Sequence, residues 1–279
     1  VEGSYDVLRF TNKLVLSLNL DGLGKFFAGI VSLLWPLTTL YAFEYLEHDE
    51  RLNTFFLFFL MAYGVTLGVA LSNNFFTLYM FYELLTLSTL PLVFFTKTVE
   101  ATRAARVYLA LSIGGAAFGF GSMMYQIMNP EMEKGFLTSL FYLFGFFGFG
   151  VKAAVFPLHI WLPKAHPVAP APASSLLSGV LTKSGIFGIV AITVNIFRFD
   201  LPWGNLILIL GTVTMFLGAL LALFSIDLKR TLACSSMSQI GFILVAVGMM
   251  VLLGHENALA ARGAILHMMN HSLFKLVLF

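Results

Sequence analysis

The sequence predicts an all-α protein, a polytopic bundle of transmembrane helices, and three observations carry that prediction. Of its 279 residues, 59% are hydrophobic and 11% are charged, against about 25% charged in soluble domains; the mean hydropathy is +0.90. The apolar residues gather into nine stretches close to the roughly 20 residues that a helix needs to cross a bilayer core of about 30 Å. The polar segments between them are short, and none is long enough for a soluble domain.

Residues 1–25, with Asp21 and Lys25, are mixed in character and read as an interfacial lead-in. The apolar stretches follow at about 26–44, 54–71, 75–96, 103–128, 135–158, 173–196, 203–225, 236–253 and 261–279. Between them stand HDER, SNN, the segment 97–106, NPEMEK, FRFD, DLKR and GHEN, of which DLKR reads as an interfacial charge cluster. Thirty Phe and 24 Gly suit lipid-facing bulk combined with close helix approach. The chain begins at Val1 without a signal-peptide pattern and stops at Phe279 inside an apolar run, so it reads as a fragment at both ends, with at least one more element expected to follow. Orientation by loop charge is nearly balanced. Arg51, Lys97, Arg103, Arg106, Lys164, Lys229 and Arg230 fall on one side; Lys134, Arg198 and Arg262 fall on the other, joined there by Arg9, Lys13 and Lys25 of the lead-in.

Several functions are excluded at this stage. A net charge of +2 gives no basis for a nucleic-acid partner. Cys234 is the single cysteine, so there is no internal disulfide and no CxxC or Cys/His cluster for a metal or iron-sulfur centre. Nucleotide-binding and hydrolase motifs are absent. No cofactor is expected on this chain, and any redox chemistry would sit on another.

What remains is a set of ionisable residues inside apolar helices. Glu83, Lys152, Lys183 and Lys275 each lie within such a stretch. A charge at helix centre costs about 2.5 to 3.5 kcal/mol on insertion scales, so the four would cost roughly 10 to 14 kcal/mol unpaired. Pairing, hydration or neutralisation is therefore required. Three lysines outnumber the one carboxylate, which weakens a purely structural ion-pair explanation. A carboxylate able to approach or leave a buried amine would act as a switch on the amine's proton.

The chain after Lys152 reads AAVFPLHIWLPKAHPVAPAPASS, with Pro157, Pro163, Pro167, Pro170 and Pro172. Proline removes a backbone donor and clashes with the preceding turn, so a straight helix is not expected to cross here. Broken helices in membranes line cavities and ion sites; a surface loop is the other reading, and Lys152 beside the break favours a site. His159 and His166 within it would relay protons or cap irregular backbone. In the last stretch, His267, His271 and Lys275 are spaced by four, which places them in one polar stripe. Histidine suits a proton relay; packing beside Asn270 is the alternative, and a metal site lacks a third ligand. Ser174, Ser178 and Thr182 stripe the helix of Lys183, as a water file or as packing glue.

These motifs resemble the antiporter-like membrane subunits of respiratory complex I, a family shared with Mrp-type sodium/proton antiporters and membrane-bound hydrogenases. The resemblance covers nearly the whole chain. VKAAVFPLHIWLPKAHPVAPAPASSLLSGVLTKSGIFG is its most specific part, supported by FYELL around Glu83, DLKRTLACSSMSQIGF and HMMNHSLFK. It implies two inverted repeats of five helices, each with a discontinuous helix at a half-channel, the first over about 54–197 and a partial second over about 203–279. It further implies that Glu83 pairs with Lys152 on the broken helix, that Lys183 connects the first half-channel, and that His267, His271 and Lys275 begin a central polar axis. A second broken helix, with its own lysine or glutamate, would lie beyond Phe279.

The partners implied are other membrane subunits of a multisubunit redox complex, in a prokaryotic cytoplasmic membrane. Flavin, iron-sulfur or nickel-iron centres would sit on those subunits, and the ions moved would be protons or sodium. The AHPVAPAP form stands closer to hydrogenase and Mrp-type relatives than to a standard quinone-reductase subunit. Two other readings remain open: a secondary antiporter without a redox partner, and a solute carrier, which the spread of Glu83, Lys152, Lys183 and Lys275 over four helices disfavours.

Overall fold

The computed structural model describes residues 3–129 and 135–279. Lys134, counted above among the loop charges, lies outside the described residues, as do the rest of NPEMEK after Asn129 and the first two residues of the lead-in. The helices are α1 (Gly22–Tyr45), α2 (Leu52–Ala70), α3 (Phe75–Val93), α4 (Val99–Met128), α5 (Phe136–Ala153), α6 (Leu162–Val168), α7 (Ala171–Leu176), α8 (Thr182–Asn195), α9 (Leu201–Leu223), α10 (Leu228–Leu252) and α11 (Ala258–Leu278). Among the described residues, eight spans are long and apolar enough to cross a membrane, with α5 and α6 forming one and α7 and α8 another. The chain is an integral membrane protein. The stretch at 261–279 is helical, as α11, but is not among the eight, since Arg262, His267, Asn270, His271 and Lys275 dilute its apolar character.

The lead-in contains an element that the sequence reading did not expect. β1 (Tyr5–Arg9) and β2 (Val15–Leu18) pair antiparallel, with Tyr5 opposite Leu18 and Arg9 opposite Val15. The hairpin is pinned to the turn that starts α3: Ser17 N donates to Thr77 Oγ1 at 2.9 Å, Asn74 Nδ2 to the Val15 carbonyl at 2.9 Å, and Asn73 Nδ2 to Ser17 Oγ at 3.1 Å. Asn74 also caps α3 by accepting from Thr77 N. Helix starts elsewhere follow the same rule of satisfying free N–H groups. Asp21, Thr98, Asp200 and Asp227 cap α1, α4, α9 and α10. Because Asp227 is a cap, DLKR forms the first turn of α10, eight residues before the expected start at 236.

Glycine sets the closest helix contacts. Gly204, Gly211 and Gly218 recur every seven residues in α9, and Gly241 and Gly248 do so in α10. A methyl group on Gly211 would lie 2.8 Å from Val245 N, and one on Gly248 would lie 2.8 Å from Leu208 N. The two helices thus touch backbone to backbone, the contact small residues allow in membranes. Gly185 does the same for α8, whose backbone lies there against that of Phe149 and Ala153 of α5, and Gly188 makes room for the Phe149 ring. The span 171–195 is the most enclosed, with 83% of its apolar window buried against 22% for α9. It carries Lys183 through the middle of the protein.

At the opposite end from the hairpin, the α1–α2 turn is tied to the end of α3. Arg51 donates to Asp49 from Nε and Nη2 at 3.1 and 3.0 Å and to the Phe95 carbonyl from Nη1 at 2.7 Å. Its guanidinium also sits 4.5 Å from the centre of the Phe95 ring. These bonds hold the Asp49 carboxyl below the usual carboxylate range.

Two outcomes test this packing. Gly211→Leu should lower stability by about 1 to 3 kcal/mol or prevent folding, because its side chain meets α10 backbone that cannot yield; thermal unfolding in detergent reads the loss. Asp49→Asn should cost about 0.5 kcal/mol at neutral pH. Because the folded carboxyl titrates low, its contribution is complete above the ordinary carboxylate range and is lost as pH falls through the depressed value. Parent and variant should therefore converge in strong acid.

Candidate functional site

α5 ends at Ala153, and Ala154 takes left-handed backbone at φ 58° and ψ 40°, an uncommon conformation for a residue with a Cβ. Ala154 N and Val155 N cap the end by donating to the Val151 and Gly150 carbonyls. Side chains add bonds to carbonyls in the last turns of α5. Tyr82 Oη donates to the Gly148 carbonyl at 2.8 Å, and Trp161 Nε1 to the Val151 carbonyl at 2.6 Å. A second break falls at Ala169 and Pro170, where Lys229 Nζ donates to the Ala169 carbonyl at 2.9 Å and Ser174 Oγ to the His166 carbonyl at 3.1 Å. The discontinuity expected from the prolines is thus two breaks flanking α6. Pro163 and Pro172 cause none, because each stands in the first turn of its helix, where no N–H is needed.

Lys152 lies in the last turn of α5 and is buried. Its amine donates to Thr86 Oγ1 on α3 and sits 4.4 Å from the centre of the Tyr82 ring, a favourable place for a cation. Glu83 is half-buried in the middle of α3, with Oε1 enclosed and without a hydrogen-bond partner among the described residues. Among those residues the ion pairs within 4.0 Å are Arg9 with Asp6 and Arg51 with Asp49; Glu83 and Lys152 form none. The carboxylate and the amine are neighbours on facing helices, with the amine held one turn away, on Thr86.

A second cluster lies around α8, α10 and α11. Between α7 and α8 the chain makes a π-turn over Leu177–Leu181, a wider coil often found at functional positions. Lys183, fully buried, donates to the Ser178 carbonyl of that turn at 2.6 Å. Lys275, also buried, donates to the Leu232 carbonyl of α10 at 2.8 Å and to Ser235 Oγ. His267 and His271 are nearly parallel on one face of α11, with ring centres 6.5 Å apart. Both nitrogens of His271 are buried without a hydrogen-bond partner among the described residues. The same holds for His166 on α6, whose ring stacks on Phe279 at 4.6 Å. His159 is half-buried against Phe156 at 5.8 Å and stands apart from this cluster.

The fold therefore divides the candidate residues into two groups, Glu83 with Lys152, and Lys183 with His267, His271 and Lys275. Sequence reasoning did not single out Thr86, Tyr82, Trp161, Ser235 or Ser236. Thr86 was accessible, since it lies three residues after Glu83 and so on the same helix face. Tyr82 and Trp161 act through backbone carbonyls of α5, and Ser235 and Ser236 through hydroxyls that meet their partners only once α10 packs against α11 and the π-turn.

The family model described as NADH:quinone oxidoreductase/Mrp antiporter, TM, matches residues 72–279. Hydrogenase-4 component B of Escherichia coli is 35% identical, over 95% of this chain and 42% of that protein. Na(+)/H(+) antiporter subunit A1 of Staphylococcus aureus is 32% identical, over 94% of this chain and 35% of the relative. The chain spans less than half the length of these curated relatives. Among solved structures, a chain of the membrane-bound sulfane sulfur reductase, an archaeal respiratory membrane complex, matches with a TM-score of 0.83 at 27% identity, covering 100% of this chain and 48% of the other. A chain of the Mrp complex from a Dietzia species matches in fold, with a TM-score of 0.89 at 24% identity, covering 99% and 31%.

Thr86→Val should destabilise the protein by about 1 to 3 kcal/mol, because it deprives a buried amine of its acceptor without changing volume. Adding Lys152→Met should recover most of that loss, since both polar partners are then gone. Unfolding of the two variants beside the parent measures it.

Proposed function

Because the chain belongs to the NADH:quinone oxidoreductase/Mrp antiporter family, we propose that it is the proton- or sodium-translocating membrane subunit of a redox-driven, complex I-like ion pump. The observation that carries the reading is Lys152: a buried amine at a helix break, beside a carboxylate with which it forms no ion pair, and held by a neutral hydroxyl. In this reading Glu83 is the movable partner. When it approaches, Lys152 keeps its proton; when it withdraws, the amine rests on Thr86 and passes the proton on. Lys183 receives it on the enclosed span, and His267, His271 and Lys275 carry it along α11, with His159 and His166 serving the two sides of α6.

The chain is organised as a first inverted repeat over about 54–197 and part of a second over about 203–279, behind a lead-in at 1–25. It binds no cofactor itself. Electron transfer takes place on partner subunits, at flavin, iron-sulfur or nickel-iron centres, in a prokaryotic cytoplasmic membrane. The similarity to a hydrogenase component supports the redox-driven form. The similarity to an Na(+)/H(+) antiporter subunit supports a second reading, exchange of sodium for protons with no redox partner.

Ion uptake by membrane vesicles carrying the assembled complex tests both. Glu83→Gln and Lys152→Ala should each lower transport by at least about tenfold while the complex remains assembled; undiminished transport in both would defeat the proposal. Transport that starts on adding a sodium gradient, with no electron donor, selects the antiporter reading.

A further inference from the structure

Two backbone carbonyls hold the two lysines of the second cluster, and both are crowded. The Ser178 carbonyl accepts Lys183 Nζ at 2.6 Å and Thr182 Oγ1 at 2.8 Å. The Leu232 carbonyl accepts Lys275 Nζ at 2.8 Å, Ser236 Oγ at 2.9 Å and Ser235 Oγ at 3.0 Å. At Leu232 the helical N–H four residues on is a further claimant, and a carbonyl has two lone pairs. The donors at Leu232 cannot all be satisfied together. The residues beside the carbonyls are joined: Ser178 Oγ and Ser236 Oγ lie 2.6 Å apart, and either can donate. Both serines are fully buried, so no bulk water competes for the bond.

We propose that Ser178 and Ser236 form a two-hydroxyl bridge that couples the hydrogen-bonding state of Lys275 to that of Lys183, by a route separate from His267 and His271. This deepens the reading of the chain as an ion-translocating subunit and rests on it. When Lys275 is an ammonium, its charge-assisted bond takes the Leu232 carbonyl, and the Ser236 hydroxyl turns its hydrogen to Ser178 Oγ. When Lys275 is a neutral amine, its claim weakens; Ser236 returns to the carbonyl and its oxygen accepts from Ser178. The direction of one short hydrogen bond thus reports the state of Lys275 to the turn that holds Lys183. No atom changes partner covalently, and the serines act as positioning residues. The π-turn fixes the geometry: a methyl on Gly179 would come within 3.2 Å of the Ser272 carbonyl of α11, so the turn is wedged against the helix that carries Lys275.

The test compares Ser178→Ala, Ser236→Ala, the double variant and Ser236→Thr in vesicles carrying the assembled complex. Lys152→Ala serves as the reference for the parent reading and Ser175→Ala as a buried serine outside the bridge, bonded to the Pro172 carbonyl. Transport rate is read across pH, and assembly by native electrophoresis. Each single alanine variant should lower the rate about fivefold and shift the pH profile, with the double no worse than the worse single, because a pair that works as one unit is not additive. Ser236→Thr should restore the profile and Ser175→Ala should leave it unchanged. Parental rates and profiles in both alanine variants, additive losses in the double, or losses that follow loss of assembly would overturn the bridge while an impaired Lys152→Ala leaves the parent reading standing. Full transport in Lys152→Ala would overturn both.

Discussion

The arrangement depends on one constraint: a helix that stops in an apolar surrounding must find partners for the carbonyls it leaves open. The end of α5 meets it with Ala154 N, Val155 N and Trp161, which take up the Val151 and Gly150 carbonyls, and Tyr82 adds a bond to the Gly148 carbonyl one turn earlier. Each choice has a consequence. Tyr82 stands next to Glu83 on α3, so its bond to α5 also fixes the carboxylate's helix against Lys152. Trp161 belongs to the 3-10 turn leading into α6, so the segment after the break is tied back to the segment before it. Satisfying the backbone thereby builds the site, and no separate device is needed to bring α3, α5 and α6 together.

A second regularity concerns the partners of the buried amines. Lys152, Lys183 and Lys275 each donate to uncharged oxygen, a threonine hydroxyl, a peptide carbonyl, and a carbonyl with a serine hydroxyl. An ion pair would bind each amine firmly in its charged form, and breaking such a pair in the interior costs several kcal/mol. Hydroxyls and carbonyls accept from an ammonium and from a neutral amine alike, so the site tolerates either form with little rearrangement. This separates the amines from Arg51, whose carboxylate partner and carbonyl acceptor fasten a turn. The two kinds of bonding occupy different parts of the fold, a connecting turn for Arg51 and the buried interior for the amines.

The helices were legible in the sequence because about twenty apolar residues between polar punctuation admit few other readings in a chain this hydrophobic. The hairpin was not. Its strands are short and mixed, and a search for membrane-length apolar runs passes over alternation such as that in VLSL. The start of α10 was missed for a related reason: Asp227 caps the helix, so charges that read as an interface belong to its first turn. At the candidate site, residue types and spacing exposed Glu83, the three lysines and the α11 histidine stripe, because each is costly in an apolar helix. The oxygens that receive the amines could not be read this way. Ser178 and Leu232 enter through their carbonyls, and a carbonyl carries no mark in the sequence; it becomes available only where a π-turn or a crossing helix exposes it.

The two groups of ionisable residues lie on different helices, yet the backbone joins them. Gly185 lets α8 rest directly on the backbone of Phe149 and Ala153, the turn of α5 that carries Lys152, while Gly188 receives the Phe149 ring. Lys183 sits two residues before Gly185, and the π-turn that holds its amine precedes it immediately. Contacts between backbones are stiff, because no side-chain rotamer stands between them to absorb a shift. The end of α5 is thus joined to α8 through backbone, and the π-turn before α8 meets α11 at Gly179 and α10 at Ser178. A helix of larger residues would bury comparable apolar area there and lose this stiffness. The glycines of α8 stand between the two groups, so close packing is what joins them.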